Sequence, residues 1–566
     1  MKYFSLLIVL LMSLVTSEMR ANDRLTLTIV DDCTKLKRDE KPPLQPFIWD
    51  PATKKITLFG ARNEVIAFQL ILSASKEAVR RVMVSASGLQ GQSALIPSGN
   101  IHFFRHWYLH VTEPSSVMYG NPSSMGTGWY PDPLPPFNAR DDAGAPFNVQ
   151  PGIHQSVWVD IYIPAYAKSG KYSGVLKIYG ENFRTEKLSI ELTVWDFALP
   201  DTTHMKTFFY FGPEQVRAAH NIPKESADET ELIAKYMRMA HQHRINLVTD
   251  AGDGLEWAHF DNAWGPYLDG SAFIEGPGKG VGCHLWSINI SIWGGEDLFQ
   301  KTARSVMEHF INKGWFNVPF LYVIDEPDED RYEEVRKIGA WLDNTTYPGN
   351  ILPFMLTEHI VPDLTGYVDI WNSSRIKLVD AQKRRFAGDR IWTYNGGLPG
   401  SGSQCIDHDG LAMRTWSWIA WKTRREAWHY WDCCYFMDKY NNHGETDTWE
   451  NPLTYDQRPK HDADWGNGDG TLFYPGQQWA FHRDFVAGPV SSFRMKALRR
   501  GLQDYEYLWL AKQKGCTAEV EKIVNAVIPN PALGDAIEGT VCYLRGEGAS
   551  AVWHDARIRL AQLILK

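Results

Sequence analysis

Cysteine is scarce in this chain: seven residues in 566, at Cys33, Cys283, Cys405, Cys433, Cys434, Cys516 and Cys542. So few, so scattered and odd in number, they exclude a disulfide framework. Cys516 and Cys542 could still bridge in an oxidising compartment, and Cys433-Cys434, inside an aromatic run, reads as buried. No Cys or His spacing matches a zinc site, and neither a metal nor any other cofactor is expected. Positive charge is not in excess. Lys and Arg number 58 against 67 Asp and Glu, a formal charge of -9, which leaves no footprint for nucleic acid and points to neutral or polar partners. No glycine fingerprint of nucleotide binding follows any strand-like run. Beyond the N-terminus no apolar run is long enough to cross a bilayer, so stable membrane insertion is not expected.

The N-terminus itself has the pattern of an export signal. Met1-Lys2 precedes an apolar core from Phe4 to Val15 that is short for a membrane span, and small residues suit cleavage after Ser17 or Ala21. Residues 1–21 are therefore expected to direct the chain to the periplasm, the cell surface or the medium. No Cys follows closely enough to suggest a lipid anchor. Aromatic residues are plentiful: 13% of the chain, with 23 Trp, more than core packing alone explains comfortably. Sugar binding gives such residues a second use, because a flat ring face stacks on the C–H face of a pyranose while polar groups take its hydroxyls.

From Arg24 to about Ala198, short alternating or apolar runs follow one another with Gly, Pro, Asn or Ser between them, which predicts an all-β sandwich over 22–198. One long interruption, Glu113 to Gly152, is rich in Pro, Gly, Ser and Asp. A loop of that length in a compact domain is functional or mobile, and it is expected to lean on the second domain. After Phe197-Ala198-Leu199-Pro200 the period changes. Strand-like runs beginning at Thr207, Ile245, Leu285, Phe320, Ile351, Val368, Arg390 and Glu426 alternate with helical patterns, and the economical reading is an α/β (β/α)8 TIM-like barrel over 199–514. Helical periods from Thr517 and from Ala551 predict an extension over 515–566 packed on the barrel.

One run is unusual. Phe320-Leu321-Tyr322-Val323-Ile324 ends in Asp325-Glu326-Pro327, a buried strand delivering two adjacent carboxylates to its C-terminal end, where barrels place their active sites. Such acids often do no more than cap the helix that follows. Here Asp330 and Glu333 have capping-box spacing and Asp328 is also free to cap, which leaves Asp325 and Glu326 for chemistry. Successive strand residues face opposite ways, so both acids reach one pocket only if the backbone twists at the strand end.

Several stretches together resemble glycoside hydrolase family 123, the β-N-acetylgalactosaminidases. They are Phe320 to Pro327, Ile391-Trp392-Thr393-Tyr394-Asn395-Gly396-Gly397, the Trp-rich helix around Arg414-Thr415-Trp416, Asp469 to Gly476, and Arg499 to Leu508. In the front half, Asn63 to Gln69 and Gly152 to Asp160 are similar to the family's N-terminal sandwich. The resemblance implies a retaining glycosidase in which the substrate's own 2-acetamido oxygen attacks the anomeric carbon. Glu326 would be general acid and then base. Asp325 would accept the acetamido N–H and stabilise the oxazolinium ion. No second carboxylate about 5 Å from the acid is then required.

Three further residues are candidates for the sugar site. Tyr394 could bond the acetamido oxygen or be a core tyrosine, and Trp371 and Trp431 are strand-end aromatics suited either to stacking on a sugar or to the core. Glu358-His359 reads as a surface pair. Asp407-His408-Asp409-Gly410 and Asn467-Gly468-Asp469-Gly470 lack the full spacing of calcium loops and read as turns. Two alternatives stay open: a glycosidase acting on a sugar without the 2-acetamido group, with Glu358 as nucleophile, and a glycan-binding protein without activity. The expected partner in each case is a glycan or glycoconjugate.

Overall fold

The computed structural model describes residues 24–119, 124–251, 256–438, 444–458 and 464–566. The expected export signal at 1–21 lies outside them. Eight long strands occupy the first third of the chain: β1 (Leu25–Asp31), β2 (Lys55–Arg62), β3 (Glu64–Ala74), β4 (Val79–Ala86), β5 (Ile101–Arg105), β6 (His154–Ile163), β7 (Gly170–Tyr179) and β8 (Glu186–Ala198). One sheet runs β1-β3-β6-β5, all antiparallel, and a larger one has β4-β7-β8-β2 at its centre. Alternate residues of each, among them Phe68, Leu70, Val159, Ile161, Leu176, Ile190 and Leu192, meet in one apolar layer between the sheets. The strand β3 nevertheless reads as an almost unbroken apolar run, because its other face is also covered. There Ala67 and Trp158 pack on Phe493 and Ala497 of a long helix, α8 (Phe493–Gln513).

That contact is stitched by buried charge. Asp160 of β6 accepts from Lys496 at 2.5 Å and from Arg499 at 2.6 Å, and Glu64 of β3 accepts from Arg500 at 3.2 Å and Tyr507 at 2.6 Å. The residues from Arg499 onward that carry part of the family resemblance therefore join the sandwich to the second half of the chain. Burial works against the Asp160 carboxylate, and the Arg499 and Lys496 cations outweigh it, holding the group far below the ordinary carboxylate range. Asp160→Ala leaves two buried cations without a counter-charge and is expected to cost about 3–5 kcal/mol. The measurement is the shift in urea midpoint against wild type.

Between residues 206 and 430 the strands are parallel: β9 (Lys206–Tyr210), β10 (Leu247–Val248), β11 (Asp250–Ala251), β12 (Trp286–Ile288), β13 (Pro319–Leu321), β14 (Met355–Leu356), β15 (Ile370–Asn372), β16 (Arg390–Tyr394) and β17 (Ala427–Tyr430), and three antiparallel pairs follow between 437 and 491. The helices α1 (Pro213–Ala219), α2 (Ala227–Gln242), α3 (Trp257–Leu268), α4 (Glu296–Asn312), α5 (Tyr332–Asp343), α6 (Leu378–Phe386) and α7 (Thr415–Thr423) lie between them, and α8, α9 (Thr517–Val527) and α10 (Ala549–Leu565) follow. The strands pair in two arcs, β10-β9-β17-β16-β15-β14 and β11-β12-β13, instead of the single ring expected. The six-stranded arc is a half-barrel. A lone parallel bridge, Leu321 to Phe354, links the arcs on one side.

The strand carrying the acids is shorter than expected. Its ladder ends at Leu321, and residues 322–326 leave it as irregular backbone. The expected capping box is also missing, since a 3-10 turn, Glu329–Arg331, precedes α5 and neither Asp328 nor Arg331 makes a side-chain cap. All seven cysteines are free, so Cys516 and Cys542 form no bridge, while Cys433 and Cys434 are buried. Among the described residues no helix is long and apolar enough to cross a membrane.

Candidate active site

The parallel strands carry two stacked layers of side chains. Phe208, Val248, Leu285, Phe320, Met355, Ile370, Trp392 and Ala427, one from each strand run, form a single apolar cluster. Because side chains alternate along a strand, the residues two further on face the same way, toward the strands' C-terminal ends. They are Tyr210, Asp250, Ser287, Tyr322, Thr357, Asn372, Tyr394 and His429. An oily plug is thus topped by a polar floor.

The floor is wired together. Ser287 Oγ donates to Asp250 Oδ1 at 2.7 Å, and Asn372 Nδ2 lies 2.9 Å from His429 Nδ1. His429 is stacked between Phe208, at 4.0 Å, and Tyr394, at 4.5 Å, and burial pushes its imidazole down to about 3, so it is neutral at any working pH. A neutral ring accepting from Asn372 at Nδ1 carries its proton on Nε2.

Asp325 and Glu326 stand at the edge of this floor. Asp325 Oδ1 accepts from Tyr322 Oη at 2.7 Å and from Thr357 Oγ1 at 2.8 Å, and the Thr357 oxygen in turn accepts the backbone N–H of Glu326 at 2.8 Å. One hydroxyl therefore fixes both acidic residues. Glu326 has a φ of +39°, a left-handed conformation that costs a non-glycine residue free energy and persists only where neighbours hold it. This is the backbone twist required for two consecutive side chains to serve one site. Both acids are exposed to solvent, yet the protein around Glu326 desolvates its carboxyl enough to raise it above the ordinary range. The charges of Asp325 and Glu358 raise it further, and the Arg375 guanidinium opposes them. The arrangement offers an acid biased toward holding its proton beside a carboxylate locked in orientation.

The other expected residues divide. Tyr394 lies on the floor, half-buried against His429. Trp431, just past the end of β17, is half-buried; its indole donates to Asp469 Oδ1 at 3.0 Å, and its ring packs against Tyr435 and Tyr455. Trp371 is not in the site. It alternates with Ile370 and Asn372 and so points outward, where it is fully buried, with its indole on Asp389 at 2.7 Å, and no sugar can stack on it. Glu358 is engaged by the N–H and ring of His359, the pair expected.

Both turn motifs spend their carboxylates inside the protein. Asp407 accepts from Ser115 and Ser124, and Asp469 from Tyr119, Gln404, Tyr430 and Trp431. Ser115, Tyr119 and Ser124 belong to the long interruption at 113–152, which leans on the second half of the chain as expected. Tyr322, Thr357, Asn372 and His429 escaped the sequence reading. The signal that finds them is a polar residue two places beyond the apolar residue of each strand run.

Residues 42–180 match the family model described as the glycoside hydrolase 123 N-terminal domain, and residues 290–511 match the glycoside hydrolase 123 catalytic domain, together well over half the chain. Among solved structures, a family 123 glycoside hydrolase from Clostridium perfringens, analysed for glycolipid glycan hydrolysis, superposes with a TM-score of 0.66 at 16% identity, covering 95% of this chain and 98% of that one. A family 39 glycoside hydrolase from the gut symbiont Bacteroides cellulosilyticus reaches only 0.30 at 10% identity over 74% and 80% of the two chains, and adds nothing to the argument. No curated protein matches the chain. The chain belongs to glycoside hydrolase family 123, and it is a glycoside hydrolase.

Proposed function

We propose that the protein removes β-linked N-acetylhexosamine, N-acetylgalactosamine first among the candidates, with retention and with the substrate's 2-acetamido oxygen as nucleophile. The observation that carries this reading is the unequal treatment of two adjacent acids. Asp325 is fixed by two hydroxyl donors, while enclosure and like charge bias Glu326 toward its protonated form. Glu326 donates its proton to the glycosidic oxygen as the acetamido oxygen bonds to C1, and the aglycone leaves as an alcohol. Asp325 accepts the acetamido N–H and opposes the positive charge of the oxazolinium ion. Water then attacks C1 from the face the aglycone left, Glu326 takes its proton, and the amide is restored. Tyr394 and Trp431 are assigned to the acetamido group and the sugar face.

The scaffold reading is that the two arcs close into one (β/α)8 barrel over 199–514, behind a sandwich over 22–198 and before helices over 515–566. A shared apolar plug with one residue from every strand run supports it. The C. perfringens relative's glycolipid glycan makes a glycoconjugate the natural substrate class to try first. Export through residues 1–21 belongs to the same reading.

The test uses paired aryl β-glycosides, GalNAc and GlcNAc against Gal and Glc. Cleavage confined to the 2-acetamido sugars is expected, and the ratio between them ranks the C4 epimers. Comparable cleavage of a 2-hydroxy sugar would overturn the reading and move the nucleophile onto a carboxylate of the protein such as Glu358.

A further inference from the structure

At the opposite, N-terminal ends of β9 and β17, an open cavity of about 840 Å³ lies between the strands and helices α7, α8 and α9. The chain as a whole carries a charge of -9, yet this wall is cationic. Lys206, Lys422, Arg424, Arg425 and Lys512 line it against only Glu426 and Glu521. Of the two acids, Glu426 is drawn away to Arg390 at 3.0 Å. Lys206 and Arg424 have no salt bridge or side-chain hydrogen bond among the described residues, and Lys512 has only a contact with the Trp421 ring at 5.7 Å. Arg425 is buried and donates through one nitrogen to the Ile376 carbonyl, leaving two guanidinium nitrogens unpaired. Burial pushes it down to about 9 and Arg385 adds repulsion, with Asp535 opposing them; burial and Arg390 pull Lys206 down as well, with Glu426 opposing them. Cations outnumber acids in this recess, the buried Arg425 keeps unpaired nitrogens, and a bound anion would relieve both. The recess also has an aromatic corner, where Trp421 and Tyr505 meet edge to face at 5.1 Å.

We propose that this cavity is a second glycan site, remote from the hydrolytic centre, that binds an anionic saccharide. Lys206, Arg424 and Lys512 hold the sulfate or carboxylate, and the Trp421–Tyr505 pair takes the face of a sugar ring. The proposal rests on the chain being a glycoside hydrolase, not on which sugar it cleaves, so it stands or falls separately from the acetamido mechanism.

The test is calorimetric titration of wild type and of Lys206→Gln/Arg424→Asn with three probes: a chondroitin 4-sulfate tetrasaccharide, its desulfated uronate-bearing counterpart, and neutral cellotetraose, which has no 2-acetamido group for the hydrolytic centre. Asn at 424 suits the left-handed backbone there, where φ is +56°. Wild type is expected to bind the sulfated tetrasaccharide with an affinity that falls as salt rises. The double variant should lose about tenfold or more of that affinity, the worth of one or two charge-assisted hydrogen bonds, and keep its kcat/KM on aryl glycosides. Binding of the desulfated probe as well assigns the anion to the carboxylate; its absence assigns it to the sulfate. If the double variant loses activity and hence its fold, Lys512→Gln, an exposed change, carries the same comparison. Equal affinity in wild type and variant, binding of cellotetraose as tight as of the charged probes, or no binding by wild type would overturn the proposal.

Discussion

Replacing Glu326 by glutamine is expected to lower kcat/KM by about a thousandfold on glycosides with poor leaving groups, the usual worth of a positioned general acid. The amide is nearly isosteric, and the Thr357 bond goes to the residue's backbone N–H, so the left-handed turn and substrate binding should survive. A dinitrophenyl glycoside needs no proton to leave, so its first turnover should remain fast and later ones stall for want of a base. Azide, which needs no base, should restore steady turnover and yield the β-glycosyl azide. The alkaline limb of the wild-type pH profile should vanish with the carboxyl. Enclosure and the two neighbouring acids raise Glu326, so this limb lies above the pH at which an ordinary glutamate would be lost. Normal turnover in Glu326→Gln would remove the residue from the mechanism.

Asp325→Asn is expected to cost a few hundredfold, mainly in kcat, because the lost charge matters most when the oxazolinium ion forms. Its carbonyl can still accept from Tyr322 and Thr357, so the fold should be unaffected. The other face of the side chain then presents an N–H donor where the acetamido N–H needs an acceptor. The substitution also removes a negative neighbour of Glu326, and the alkaline limb of what activity remains should move to lower pH. A loss confined to KM, or an unmoved limb, would show that Asp325 holds the sugar without taking part in the charge development. The two variants therefore separate proton transfer from charge stabilisation by the shape of the pH profile as well as by rate.

How much of this was readable from the chain depends on range. The acids at the end of the Phe320 run, the alternation of strands and helices after residue 206, and the helices expected from Thr517 and Ala551 follow from local period and composition, and those two helices start within two residues of expectation. The hydroxyls that hold Asp325 do not, because Thr357 comes from the next strand and nothing near residue 325 announces it. Trp371 shows the limit of period-two reasoning. Alternation says that Ile370 and Asn372 share a face and Trp371 takes the other, but not which face is inward; only the partnership of Asn372 with His429 across the strands settles it. The Asp330 and Glu333 spacing failed for a similar reason. A 3-10 turn displaces the start of α5 to Tyr332, and the box has no helix end to cap. The family resemblance around Arg499 was carried by residues that bind the sandwich sheet, which places part of the shared pattern in architecture and not in chemistry.

The most direct test of substrate assistance is kcat/KM for a series of aryl β-N-acylgalactosaminides in which the acetyl group carries zero, one, two or three fluorines. Each fluorine weakens the carbonyl oxygen as a nucleophile and leaves the aglycone and the protein unchanged. A steep, regular fall across the series is the predicted result. A flat series would mean that the acetamido oxygen forms no bond to C1, and would contradict the account.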